Sequence, residues 1–287
     1  MKFGVMFANV FGFSGPREAL ALAQGAEAAG FESLWTVDHV VVPEGYESPY
    51  PYSRSARMPG GEFQPLPDPL TWMAWVAGAT GSIRLATGVL VLPQRQPALV
   101  AKQVATLDHL SGGRVTLGVG VGWLAEEFDA LGMPFARRGR RLDAYIHALR
   151  ALWSGGPTTL DGRFVSMERA ICLPKPVQDP LPIVVGGHSE GAARRAGRLG
   201  DGFFPAMGRG FESLLPVMRD AANEAGRDAD AVEVTVLGPA AVGPGALDEV
   251  ERLAGLGVAR IVIRPPTTDP RAIGDALAAY GADVIRA

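Results

Sequence analysis

The sequence predicts a closed (β/α)8 barrel, and three observations carry that expectation. The chain has 287 residues, of which 47% are hydrophobic and 20% charged, a globular composition long enough for one large α/β unit. About eight short apolar, β-rich runs are each followed by an Ala-rich helical stretch, the pattern of a parallel sheet covered on both faces. The junction of helix, glycine and β run recurs as AAGFESLW, LSGGRVTL, RLGDGFFP and LGVARIVI, which marks one repeated module. A doubly wound open sheet is the alternative, because strand order is not written in a single sequence.

The first run is residues 2–8 (KFGVMFA). Ser14 can cap the helix that follows, Pro16 suits its first turn, and Gly30 ends it. Further runs follow at 32–38 (ESLWTVD) and 83–92 (IRLATGVLVL). Between residues 97 and 110, Val100, Val104 and Leu107 fall on one helical face, and Gly112-Gly113 closes that helix ahead of the run at 114–119. The remaining runs are 181–185, 202–205, 231–237 and 258–263. Two stretches stand outside the module. Residues 43–69, rich in Pro, Tyr, Gly and Ser, have no period and sit just after the second strand, which suits a lid or substrate wall. Residues 155–179 read as a hairpin excursion, with strands at 158–160 and 163–165 about the turn Asp161-Gly162. No composition break divides the chain, so residues 1–287 are expected to form a single domain.

Composition excludes several classes. The 27 basic and 30 acidic residues give a net charge of −3, so no global positive field exists to hold a nucleic acid. Cys172 is the single cysteine and His39, His109, His147 and His188 are the four histidines. That rules out an intramolecular disulfide, and no chelating spacing points to a metal. The most apolar stretch, residues 69–83, is shorter than the roughly 20 residues of a bilayer span. The N-terminus lacks the marks of a signal peptide. A cytoplasmic protein is therefore expected, with no membrane partner.

Four features carry chemistry. Asp38-His39 ends the second strand, where a histidine can move a proton near neutral pH. The alternating glycines of Gly118-Val119-Gly120-Val121-Gly122-Trp123 allow close backbone approach to a flat ring or an anion. Gly187-His188-Ser189-Glu190-Gly191 matches the G-x-S-x-G of a hydrolase elbow, but no histidine follows Ser189 in the chain. What remains there is a turn with Ser189 at a helix start, suited to phosphate. The basic cluster Arg137-Arg138-Gly139-Arg140-Arg141 suits either a solvated face or an acidic cofactor tail, and Arg264 is a candidate anion contact.

The ordered blocks SLWTVDH, RLATGVLVLP, LDHLSGGRVTLGVGVGWLAEEF, ARRGRRLDAYIHALRALW, CLPKPVQDPLPIVVGG and AGRLGDGFF resemble the luciferase-like superfamily. They are most similar to its deazaflavin (coenzyme F420)-dependent oxidoreductases. The resemblance implies a TIM-type barrel with the cofactor ring at the C-terminal mouth and Asp38-His39 as the catalytic pair. It also implies a non-prolyl cis peptide at Gly88-Val89. Cofactor contacts are expected from Thr87, Gly88 and Val89, from Gly120, Val121, Gly122 and Trp123, and from Gly186, Gly187, His188 and Ser189. In the family's sugar-phosphate dehydrogenases a glutamate stands where this chain has Trp123. The substrate is thus expected to be a small hydrophobic or conjugated molecule beside Trp35, Tyr46, Tyr50 and Tyr52. The alternative implied is an FMN-dependent two-component monooxygenase served by a separate flavin reductase. A homodimer is expected on the same ground.

Overall fold

The structure, a computed structural model, describes residues 1–53, 55–205, 210–238 and 244–286. Eight parallel strands close on themselves in the order β1 (Lys2–Met6), β2 (Ser33–Thr36), β3 (Arg84–Thr87), β5 (Val115–Gly120), β8 (Ile183–Gly186), β9 (Gly202–Phe204), β10 (Glu233–Leu237) and β11 (Val258–Ile263). Closure comes from the pairing of β1 with β11, in which Lys2 faces Arg260 and Val5 faces Ile263. β4 (Leu90–Val91) is a short extra strand along β5. The open-sheet alternative is therefore excluded.

The helices run between the strands on the outside: α1 (Pro16–Ala29), α2 (Pro69–Ala77), α3 (Pro97–Ser111), α4 (Ala125–Ala130), α5 (Arg138–Trp153), α6 (Glu190–Leu199), α7 (Leu214–Glu224), α8 (Pro244–Gly255) and α9 (Ile273–Tyr280). α1 starts on Pro16 and stops at Gly30, whose φ of +91° costs a glycine little. Its N-cap is Gly15 rather than the expected Ser14, which closes a preceding 3-10 turn instead. α3 buries Val100, Val104 and Leu107 as its spacing predicts. Strands such as Leu34, Leu85, Leu117 and Ile183 supply a core with no exposure at these positions.

Three local differences from the expectations have physical causes. The run at 83–92, read as one β run, is split into β3 and β4 at Gly88-Val89, where the cis peptide implied by the family resemblance is present. In the hairpin, β6 (Thr158–Asp161) pairs antiparallel with β7 (Ser166–Ala170). The second strand comes later than read because residues 162–165 form the turn, closed by Gly162 N–H donating to the Val165 carbonyl at 3.0 Å. α4, too short for a periodic signal, had no counterpart in the sequence reading. At the N-terminal end of the barrel, buried Arg260 donates to both carboxylate oxygens of Glu32 (2.8 and 2.9 Å) and to the Thr235 hydroxyl. Among the described residues, no helix is long and apolar enough to cross a membrane.

Candidate active site

The C-terminal ends of the strands enclose a cavity of about 910 Å³. Its position is that of the barrel's C-terminal face, where the loops after the strands vary while the strands keep the core. The inner end is formed by the Gly88-Val89 bend, and the glycines around it explain themselves sterically. A Cβ on Gly118 would lie 1.8 Å from the Thr87 carbonyl oxygen, and Cβ atoms on Gly120 and Gly186 would each lie 2.4 Å from a methyl of Val89. The glycines of two neighbouring strands therefore make room for one valine, which is why Val89 can project into the cavity that it lines. Gly122, at φ +77°, is held tight between Val91 and Phe128.

His39 lines this cavity, and its Nδ1 lies 2.8 Å from Glu127 Oε2. Glu127 is buried (1% exposed) at the start of α4 and also accepts from the Val40 amide at 2.6 Å. Burial by itself would raise the Glu127 carboxyl; the hydrogen bond and charge of His39, with the Val40 amide, outweigh it and hold the group below the usual carboxylate range. An ionised carboxylate only accepts, so Nδ1 is the donor, and Nε2 is the ring nitrogen left for the cavity. Trp123 stands beside this pair as the hub of an aromatic cluster, with edge contacts to His39 (5.6 Å), Tyr46 (5.4 Å) and Tyr50 (5.2 Å).

Asp38, expected beside His39 as the catalytic pair, also lines the cavity. It is buried, and its two carboxylate oxygens accept from the Val91 amide at 2.8 Å and from Arg95 at 2.7 Å. Burial pushes its carboxyl above the usual carboxylate range, and the Arg95 guanidinium and Val91 amide offset only part of that rise. With both oxygens engaged, Asp38 fastens the segment after Gly88-Val89. Arg95 reaches on to Asp68 at 3.1 Å, the residue that caps α2.

Of the residues expected to hold cofactor, Gly88, Val89, Gly120, Val121, Gly122, Trp123, Gly186, Gly187, His188 and Ser189 all line the cavity. Thr87 does not: it is fully buried and its hydroxyl donates to the Gly118 carbonyl at 2.6 Å. Ser189 accepts from the Ala192 amide at 3.2 Å and is the N-cap of α6. His188 Nδ1 is buried and has no hydrogen-bond partner among the described residues. Arg138 and Arg195 flank this corner; Arg138 donates to the Gly122 carbonyl at 3.1 Å, and Arg195 pairs with Asp143.

Of the expected substrate residues, Tyr50 and Tyr52 line the cavity, while Trp35 and Tyr46 do not. Trp35 points into the barrel, edge-on to Phe204 at 5.3 Å and under Gly88. Trp35 thus sits in the barrel interior, packed under Gly88 and short of the cavity where the expectation had it beside the substrate. Tyr46 is buried behind Trp123, with its hydroxyl accepting from the Met58 amide at 3.0 Å.

The irregular stretch after β2 is fastened at both ends. At the near end, Glu126 accepts from the Glu47 and Ser48 amides at 2.7 and 2.9 Å. The Ser48 hydroxyl, and then those amides, hold its carboxyl down at about 2. At the far end, buried Asn9 donates to the carbonyls of Val37 and Pro67, each at 2.9 Å. Glu126 and Glu127 lay in the block LAEEF without an assigned role; two adjacent acids opening a short helix directly after a glycine turn were the available signal.

The sequence model of the luciferase-like monooxygenase family matches residues 1–272. The chain belongs to that family. It is 36% identical over 220 residues to the F420-dependent glucose-6-phosphate dehydrogenase of Beutenbergia cavernae, a match that covers 74% of this chain and 60% of that protein. Among solved structures, the coenzyme F420-dependent tetrahydromethanopterin reductase of Methanopyrus kandleri superposes with a TM-score of 0.77 at 19% identity, covering 99% of this chain and 98% of that one. The monooxygenase RslO1 of Streptomyces bottropensis gives 0.78 at 22% identity, covering 100% and 99%. At those identities the shared property is the closed (β/α)8 fold. As a member of this family the chain is an oxidoreductase.

Proposed function

We propose that this luciferase-like protein is an F420-dependent oxidoreductase that passes a hydride between the deazaflavin and a small hydrophobic or conjugated organic substrate. The observation that carries the proposal is the His39–Glu127 pair, with Nδ1 tied at 2.8 Å to an ionised carboxylate and Nε2 left to the cavity. A hydride moving to or from an organic carbon needs a proton partner, and His39 is the cavity residue built to hold or move one at Nε2. Glu127 acts on it as a positioning residue.

The chain's residues fit the cofactor. The orphaned Nδ1 of His188 beside the start of α6 suits a phosphate oxygen, together with the free amides there. Val89, bared by Gly120 and Gly186, suits one face of a flat ring. Arg138 flanks that corner, while Arg137 and Arg140 lie exposed beside it, in reach of an acidic tail. When bound, F420 supplies or takes up the hydride. The F420-dependent relatives support this choice over FMN. A sugar phosphate is disfavoured by Trp123, which cannot transfer a proton where the sugar-phosphate dehydrogenases are expected to carry an acid. In the same proposal the enzyme acts in the cytoplasm as a homodimer.

The second reading, an FMN-dependent monooxygenase served by a reductase, draws support from the family description and from RslO1. Equilibrium binding of F420 and FMN, followed side by side by fluorescence quenching, separates the two. Tight F420 and weak FMN binding is the expected result. The reverse result, with oxygen uptake on reduced FMN, overturns the proposal.

A further inference from the structure

The cavity wall divides into two chemically different halves. The ends of β3, β5 and β8 present bare backbone, the start of α6, His188 and Arg138, all on the side assigned above to the cofactor. The opposite half comes from the ends of β1 and β11, neighbours in the sheet, and from the stretch after β2. There the wall is aromatic: Phe7 lies 5.8 Å from Phe11, and Tyr50 lies 5.4 Å from Tyr52 and 5.2 Å from Trp123. Set into it is Arg264, whose guanidinium carbon stands 5.0 Å over the Phe7 ring.

The other charges on the cavity are accounted for. Asp38 is matched by Arg95, Glu127 by His39 and Arg195 by Asp143. Arg138, stacked 3.7 Å over Phe135 and bonded to Gly122, belongs to the cofactor half. Arg264 has neither an ion pair nor a hydrogen bond among the described residues, although its charge acts on the Tyr50 hydroxyl. Among the described residues it is thus a cation without a counter-charge, beside an aromatic ring, on the half of the cavity left for substrate.

A lone planar guanidinium matches the two oxygens of a carboxylate. A phosphate dianion calls for several donors, and the donors suited to it lie on the other half. The flat rings beside Arg264 favour a flat partner by stacking and edge contacts. We propose that the substrate is a planar, conjugated carboxylate, with its carboxylate on Arg264 and its unsaturated skeleton along Tyr50 toward Trp123 and His39. This inference rests on the oxidoreductase proposal above, whose cofactor side it leaves untouched.

The test is calorimetric titration of the protein, alone and saturated with F420, with trans-cinnamate, methyl cinnamate, acetate and inorganic phosphate. Cinnamate is expected to bind at least about tenfold more tightly than its methyl ester, with acetate and phosphate weaker still. Arg264→Gln should bring the acid down to the ester's affinity and leave F420 affinity unchanged, while Arg264→Lys retains part of the preference. Equal binding of acid and ester, an acid affinity unmoved by Arg264→Gln, or no binding of cinnamate in either form of the protein overturns the inference. Phosphate or acetate binding as tightly as cinnamate overturns it too, the first against the carboxylate and the second against the planar skeleton. Failure of F420 to bind while the acid–ester difference persists strikes the cofactor proposal alone.

Discussion

A histidine's usefulness in proton transfer depends on what holds its second nitrogen, and here that is Glu127. His39→Ala is expected to abolish turnover while F420 affinity, read by fluorescence quenching, stays within about twofold. Glu127→Gln should lower kcat with KM little changed, and Glu127→Asp should recover part of it. A Glu127→Gln enzyme of unaltered kcat would leave Glu127 only its grip on the Val40 amide. A second expectation at this scale concerns Val89. Gly120→Ala places a Cβ 2.4 Å from a Val89 methyl, and such overpacking costs about 1–3 kcal/mol in urea unfolding. Combining it with Val89→Ala should recover much of the loss, because the clash partner is then gone. Additive losses would mean the glycine serves something other than that methyl.

At the scale of elements, the Arg260–Glu32 pair ties β11 to the start of β2 beneath the barrel. Removing the carboxylate takes two hydrogen bonds from a buried guanidinium (5% exposed) and leaves it the more distant Glu233, at 3.4 Å, as counter-charge. Glu32→Ala is therefore expected to cost about 2–4 kcal/mol of unfolding free energy, allowing for the partial exposure of Glu32. Burial raises the Glu32 carboxyl, but its hydrogen bond to Arg260 and the charge of that group bring it below its reference value of 4.5. The stability it contributes is present above that value and lost as pH falls through the depressed one. Glu32→Gln should flatten the acid limb of a stability–pH curve; an unchanged limb would discount the pair. The strands and helices that repeat the barrel module were legible because their apolar periods and closing glycines are local. Residues 258–263 were read to the residue as β11. The bend at Gly88-Val89 came from family resemblance, since nothing in IRLATGVLVL itself interrupts a strand. Trp35 was misplaced because a position on a strand does not state how deep in the barrel its side chain sits, and here it packs under Gly88. Glu127 was passed over because its partner is 88 residues away, and one sequence does not state which distant side chains meet.

For the whole molecule, cofactor binding and stability are linked by mass action. A ligand at a hundred times its Kd adds about 2.7 kcal/mol, which for a chain of this size corresponds to a rise in Tm of roughly 5–10 °C. F420 is expected to produce that rise and FMN at the same concentration a markedly smaller one, measured by scanning calorimetry. Equal shifts would remove the basis for preferring the deazaflavin.

Glu126 and Glu127 are consecutive residues of one six-residue helix, one gripping the strap at residues 47 and 48 and the other gripping His39. The stretch at 47–48 and His39, the residue proposed to carry the proton, therefore hang from one short helix, so a displacement of either is passed to the other. If the stretch at 47–48 opens and shuts over the cavity with each turnover, His39 is loosened and reset with it, and solvent friction should enter kcat. A kcat that falls with added sucrose in the parent enzyme, and much less so in Glu126→Ala, is the expected signature. Viscosity profiles of the two that coincide would show two independent hooks on that helix.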